Sequence, residues 1–237
     1  MKIAIIGYGK MGKAIEEIAL QKGHSICLTI DLQNQEDLTT QNLQKADVAI
    51  EFTSPENAVI NILQCFTAGT PVICGTTGWL SNFGKVKEIC IEKKGSFLYA
   101  SNYSIGVNIF FELNKKLAEL MSKQHYNVTI EETHHTQKKD APSGTAITIA
   151  EQLLKNSSHK KRWVNNKSEN DEELSIISNR IDPAAGTHTV KYTSDVDDIE
   201  IIHTAHNRKG FAAGAVLAAE FIKDKKGIFS MKDVLGI

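Results

Sequence analysis

The stretch KIAIIGYGKMG (Lys2–Gly12) decides the fold. Lys2–Ile6 is a short apolar run of buried-strand type. Gly7-Tyr8-Gly9-Lys10-Met11-Gly12 follows, and Met11, Ala14, Ile15, Ile18 and Ala19 then recur at helical spacing to Gln21. Between a strand and a helix, three glycines at this spacing allow a tight turn, close approach of backbone to a pyrophosphate, and close packing of helix on strand. The free N–H groups and partial positive charge of the helix N-terminus suit phosphates. A second strand, Ser25–Ile30, ends at Asp31, nineteen residues after Gly12. An acidic residue there accepts hydrogen bonds from the adenosine ribose hydroxyls. Leu32-Gln33-Asn34 adds no Arg or Lys for a 2′-phosphate, so the loop favours NADH, with NADPH as the alternative.

Working outward, strands and helices alternate over the first hundred residues. Asp47–Phe52, Pro71–Cys74 and Phe97–Ala100 read as strands. Pro55 suits the first turn of a helix whose buried face is Val59, Ile60, Ile62 and Leu63, and Ser81–Lys93 is a further helix. Apolar strands in this order imply a parallel sheet covered on both faces. The loops EFTSPENA (Glu51–Ala58) and GTTG (Gly75–Gly78) fall at its carboxyl edge, where doubly wound sheets bind ligands. Their small hydroxyl-bearing residues admit a flat nicotinamide ring.

After Ala100 the pattern changes. Ile105–Met121 reads as one long helix, Asn127–Thr133 as a strand with one wet face, and Ser143–Leu154 as a helix. His159–Leu174 is polar and reads as an exposed loop. Leu174–Ser178, Thr187–Ser194 and Ile199–Ala205 alternate as strands, with a hairpin turn at Asp195–Asp198, and Ala212–Lys223 is an Ala-rich helix.

The chain of 237 residues is 41% hydrophobic and 23% charged, with net charge -1 and a pI of about 6.7. This balance argues against general affinity for nucleic acid or acidic lipid. Cys27, Cys65, Cys74 and Cys90 form no CxxC or zinc-type spacing; Cys27 and Cys74 sit in strand-like runs and read as buried free thiols. The N-terminal apolar run is too short for a signal peptide, and no run of 18 apolar residues exists. These features suggest a cytoplasmic protein.

One stretch gathers unusual chemistry: EETHHTQKKDAPSGTA, Glu131–Ala146. Two histidines, two lysines and an aspartate crowd before a Pro-Ser-Gly-Thr helix start. A solvated loop is the plain alternative. With a strand running through them, His134 and His135 point to opposite sides and cannot form one metal site. No carboxylate cluster of metal-ligand type appears, and no metal is expected. Asp140 reads as a loop anchor or cap and Lys139 as solvated, while His188, His203 and His206 read as satisfied surface or interface histidines.

GYGKMG, GTTG and HHTQKKDAPSGTA (His134–Ala146) together resemble the 4-hydroxy-tetrahydrodipicolinate reductases of the lysine and diaminopimelate pathway. FTSPE (Phe52–Glu56), SNYSIGVN (Ser101–Asn108) and RKGFAAGAVLAAEF (Arg208–Phe221) extend the resemblance over nearly the whole chain. It implies an α/β fold. A Rossmann domain (1–104 and 209–237), completed by the C-terminal helix, would carry an inserted α+β domain (105–208) with a mixed sheet that builds a homotetramer. It also implies reduction of a small cyclic dicarboxylate by NADH or NADPH.

By that resemblance His134 and Lys138 are catalytic, and His135, Ser143, Gly144 and Thr145 bind substrate. The expected cofactor contacts are Gly7, Tyr8, Gly9, Lys10, Met11, Gly12, Asp31, Gly75, Thr76, Thr77, Ala100, Ser101, Asn102 and Tyr103. The chemistry is coherent. A helix N-terminus and the Thr145 hydroxyl can hold a carboxylate, and Lys138 adds charge and a proton. The enamine-like anion left by hydride addition needs a proton donor.

Three departures stand out. The chain is shorter than many relatives, with His159–Glu173 the candidate place. Asp182 stands where glycine is expected, and Ser54 where some relatives have arginine. Competing readings are a dehydrogenase of aspartate or diaminopimelate and a dinucleotide-sensing protein without catalysis. The string before the Ser-Gly-Thr helix argues against both. No cysteine lies near that string, which disfavours a thiol-dependent aldehyde dehydrogenase.

Overall fold

The computed structural model describes residues 1–237. The chain runs β1 (Lys2–Ile6), α1 (Lys10–Gln21), β2 (Ser25–Ile30), α2 (Thr40–Leu43), β3 (Val48–Glu51), α3 (Pro55–Ala68), β4 (Val72–Cys74), α4 (Phe83–Glu92) and β5 (Ser96–Tyr99). It continues through α5 (Ile105–Met121), β6 (Asn127–His134), α6 (Gly144–Asn156), β7 (Arg162–Val164), β8 (Glu173–Arg180), β9 (Gly186–Thr193) and β10 (Asp198–Ala205). It closes with α7 (Lys209–Ile222), β11 (Gly227–Phe229) and α8 (Met231–Leu235). Two compact units result, Met1–Ile105 with Arg208–Ile237, and Gly106–Asn207.

In the first unit six parallel strands follow the order β11-β5-β4-β3-β1-β2. The order reverses at β1, so the carboxyl ends of β1 and β3 open a crevice there. One apolar cluster joins Ile3, Ile5, Ile50 and Leu98 to α1 and α7; the other joins Ala4, Ile6, Ala49 and Val72 to α3 and α4. The inner strands β1, β3, β4 and β5 therefore bury both faces, which is why their sequences read as continuous apolar runs. Pro55 takes the first turn of α3, where its missing N–H costs nothing, and Gly69 ends that helix in the left-handed region.

In the second unit the strands follow the order β10-β9-β6-β8-β7. β6 is antiparallel to β9 and parallel to β8, so the sheet is mixed. Val128, Ile130, Ile176 and Val190 face an apolar cluster with α5 and α6. Within this unit the other face, including Thr129, Thr189 and Ile202, carries no helix of the cluster.

Three local expectations need correction. The segment read as the loop His159–Leu174 contains β7, a three-residue edge strand paired with β8, too short to show alternation. Cys27 is exposed rather than buried, because β2 is the sheet's edge strand. Beyond the Ala-rich helix the chain adds β11 and α8, again below the length at which periodicity is readable. No helix is long and apolar enough to cross a membrane.

Candidate active site

The glycine loop leaves β1 as a turn held by the N–H groups of Gly7 and Tyr8 on the Ile30 carbonyl. Gly7 has φ +99°, and a Cβ there would lie 2.0 Å from the Phe52 carbonyl oxygen. A Cβ on Gly12 would lie 2.3 Å from the Gly7 oxygen, so this glycine serves helix-on-strand packing. Around Gly9 a Cβ meets nothing, which leaves its absence of side chain for an approaching ligand.

Beside this turn lies a cavity of about 510 Å³, lined among others by Gly9, Asp31, Leu32, Gln35, Thr53 and Ser54. No Lys or Arg lines it. Asp31 is exposed at its rim, one carboxylate oxygen accepting the Leu32 N–H at 2.6 Å. Lys10 and Met11 open α1 at the same turn. The volume, glycine turn and acidic rim fit a dinucleotide.

At the neighbouring strand ends, Glu51 is fully buried. It accepts hydrogen bonds from the Thr53 N–H at 3.1 Å, from the Thr53 hydroxyl, and from the Cys74 thiol at 2.9 Å. Burial, aided by the Glu51 charge, pushes both Cys65 and Cys74 thiols far up, so neither is a nucleophile. Thr76 is buried and its hydroxyl accepts the Thr53 N–H at 2.8 Å; Gly75 is half-buried and Thr77 exposed. Ala100 is buried, Ser101 exposed, and Asn102 accepts the Ser104 N–H through its side-chain oxygen. Tyr103 turns its side chain inward. Its side chain is buried against Phe52, with the hydroxyl donating to the Cys74 carbonyl at 2.8 Å, so its phenol belongs to the core.

In the second unit β6 delivers Glu132 and His134 to one face, two residues apart. The strand ends at His134, and His135 belongs to the following turn, half-exposed. That turn is closed by the Lys138 N–H on the His135 carbonyl and pinned by Asp182, which accepts from the N–H and hydroxyl of Thr136. The aspartate standing in a glycine's place thus has a job. The Lys138 side chain is 21% exposed, and its ammonium is bonded to both Asp140 oxygens at 2.7 Å. Asp140 is therefore a partner of Lys138, while the cap of α6 is Ser143, whose hydroxyl accepts the Ala146 N–H.

The buried centre of this unit is the Glu132 carboxylate. It accepts the Ser143 N–H at 3.1 and 3.2 Å and Arg180 Nη2 at 3.1 Å. His134 Nδ1 lies 3.4 Å and His188 Nε2 3.7 Å from its Oε2. Burial alone would raise this carboxyl, but the polar neighbours His188, Ser143, Ser178 and Arg180 outweigh it and hold it well below the carboxylate range. His134 is held down to about 4, first by burial and then by the neighbouring His188, Lys138 and Arg180, against the pull of Glu132. This environment favours the neutral imidazole at pH 7.

Ser143 is engaged within the fold. Its N–H is given to Glu132 and its hydroxyl meets Ala146 and His188, so its polar groups are spent inside the fold. Gly144 is exposed and Thr145 half-exposed at the first turn of α6, which leaves them as the outward groups of that terminus. His188 corrects an expectation: it is buried beside His134 rather than at a surface. Glu132, His134 and His188 have ligand atoms within 4.8 Å of one another, a spacing that also suits a divalent ion. Arg180 and the Ser143 N–H already neutralise and bond that carboxylate.

The residue-by-residue reading missed Glu132, Arg180 and His188. The available signal was alternation: Glu132 shares His134's face. The partners need strand register, which pairs Glu132 with His188 and His134 with Arg180.

Two sequence families described as dihydrodipicolinate reductase match the chain, the N-terminal part over residues 1–103 and the C-terminal part over 106–235. The 4-hydroxy-tetrahydrodipicolinate reductase of Christiangramia forsetii is 50% identical over 238 residues, covering 99% of this chain and 98% of that protein. The enzyme of the same name from Methanosarcina acetivorans is 37% identical, covering 99% and 89%. Among solved structures, a dipicolinate-bound dihydrodipicolinate reductase from Paenisporosarcina sp. TG-14 superposes with a TM-score of 0.76 at 23% identity, covering 97% of each chain.

Proposed function

The chain belongs to the dihydrodipicolinate reductase family, and from that premise we propose how its residues carry the reaction. The activity is reduction of 4-hydroxy-tetrahydrodipicolinate to tetrahydrodipicolinate with loss of water, in lysine and diaminopimelate biosynthesis. A reduced nicotinamide dinucleotide supplies the hydride when bound.

The cofactor-holding groups are Gly7–Gly12 at the phosphates, Asp31 at the ribose, and Gly75, Thr76, Thr77 and the backbone of Ala100–Tyr103 near the ring. The cavity lining without Lys or Arg supports NADH as the better cofactor. The substrate is a dianion. Gly144 and Thr145 at the α6 N-terminus would hold a carboxylate, and His135 would assist. Lys138 supplies positive charge and the proton that converts the enamine-like anion to the cyclic imine. The neutral state of His134 supports that assignment: at pH 7 its ring has no proton to spare, so it orients the substrate or accepts. The observation that supports the reading is that His134, Lys138, Gly144 and Thr145 all lie on one strand–turn–helix, β6 to α6.

The product of the preceding synthase, made from pyruvate and aspartate semialdehyde, is the test substrate. Consumption of NADH and NADPH is followed in parallel. Turnover with NADH at least equal to that with NADPH is expected; none with either cofactor would remove the reading. For assembly, the sheet face left without a helix in the second unit supports a homotetramer built through these sheets, and light scattering showing a stable monomer would contradict it.

A further inference from the structure

The residues around His134 form a closed set that the reaction above does not use. Two neighbours fix the ring plane. The His188 ring lies edge-on at 5.1 Å between centroids and 72° between planes. Gly186, with φ +154°, passes so near that a Cβ there would lie 3.1 Å from His134 Nε2. The other nitrogen, Nδ1, is buried with no partner at hydrogen-bond geometry, and the Glu132 carboxylate faces it at 3.4 Å. A buried ring nitrogen left unpaired is costly, and a slight closure onto the carboxylate recovers that cost.

We propose that Glu132 is the positioning residue for His134. Its carboxylate holds the imidazole with Nδ1–H toward Oε2, and the same carboxylate grips the Ser143 N–H at the start of α6. The histidine and the carboxylate-binding turn are thereby locked in one geometry. His188 sits behind the carboxylate, 3.2 Å from the Ser143 hydroxyl, and completes the clamp. The role of a buried acid behind a catalytic histidine is to select one tautomer and orientation. The inference rests on the assignment of His134 to the active site.

The titratable and charged groups facing the ring come from every packed element. They are Glu132 on the same strand, Arg180 from β8, His188 from β9, and Lys138 from the turn, itself paired with Asp140. Only Glu132 among the groups acting on His134 favours its protonated form. Removing the carboxylate therefore leaves no group that favours the protonated ring and shifts its titration further down.

The test pairs nitrogen-15 NMR of the histidine side chains with kinetics of the full-length enzyme. His134→Gln assigns the His134 signals. The wild type should show a single Nδ1–H tautomer. Glu132→Gln should lose that preference, lower kcat at least tenfold with NADH affinity within twofold, and move the acid limb of the kcat–pH profile to lower pH. Glu132→Asp should recover part of kcat and the wild-type acid limb, which a purely structural carboxylate would not restore. An Nε2–H tautomer in the wild type overturns the proposal even if Glu132→Gln fails to fold. So does a folded Glu132→Gln with unchanged tautomer and profile. If His134→Gln keeps full kcat, the catalytic reading of His134 falls, and the tautomer measurement still decides what Glu132 does.

Discussion

Arg180 and Glu132 form a buried ion pair across adjacent parallel strands, with Nη2 3.1 Å from Oε1 and the carboxylate fully shielded. The same guanidinium donates to the Asp140 carbonyl at 2.6 Å and the Lys138 carbonyl at 3.3 Å. One arginine thus neutralises the buried acid and ties down the turn that bears Lys138.

Arg180→Met leaves the Glu132 charge buried without its cation. Loss of one partner of such a pair costs about 3–5 kcal/mol. Urea denaturation should show a destabilisation of that order. Adding Glu132→Gln should restore part of it, so that the double variant is more stable than additivity requires. Additive losses would mean that the two side chains do not interact.

Asp31→Ala should weaken NADH more than NADPH. The change removes an acceptor for ribose hydroxyls and relieves repulsion of a 2′-phosphate. Cofactor titrations of both proteins measure it. A tenfold NADPH preference in the unmodified enzyme would contradict the role given to Asp31.

Lys138→Ala should lower kcat by about 10²–10⁴, the range for a positioned acid, or about 3–5 kcal/mol at 1.36 kcal/mol per tenfold. His134→Gln should lower kcat with a smaller change in KM. Thr145→Ala should mainly raise KM, since it removes binding common to ground and transition states. NADH binding should stay normal in all three. Wild-type kcat in folded Lys138→Ala and His134→Gln would reduce the turn to a solvated loop.

Stability should fall on acidification from neutral pH. His134 is held at about 4 in the folded protein against an ordinary 6.5, so the unfolded chain binds the extra proton between these values. The contribution is full above pH 6.5 and is lost as pH falls toward 4. Glu132, held below its usual 4.5, adds a further loss below that pH. Urea midpoints from pH 7.5 to 4.5 should drop less in His134→Gln than in the wild type. Parallel curves would remove His134 as a source of the pH dependence.

What the sequence by itself determined is what local pattern can encode. The turn Gly7–Gly12 states its own steric needs, and the structure meets them at Phe52 and Ile5. The apolar runs of β1, β3 and β4 announce strands buried on both faces. The string His134–Ala146 carries enough chemistry within one strand–turn–helix to mark a candidate site.

Only the tertiary structure decided which polar groups remain available there. Tyr103 and Ser143 look like ligand contacts in sequence, yet folding commits the tyrosine hydroxyl to Cys74 and the serine N–H to Glu132. Arg180 and His188 lie far along the chain from Glu132 and carry no motif. They reach it because β8 and β9 flank β6 in a particular register, and a one-residue slip would turn each to the opposite face. Register is set by packing among distant segments, so the clamp around His134 exists only once the sheet has formed.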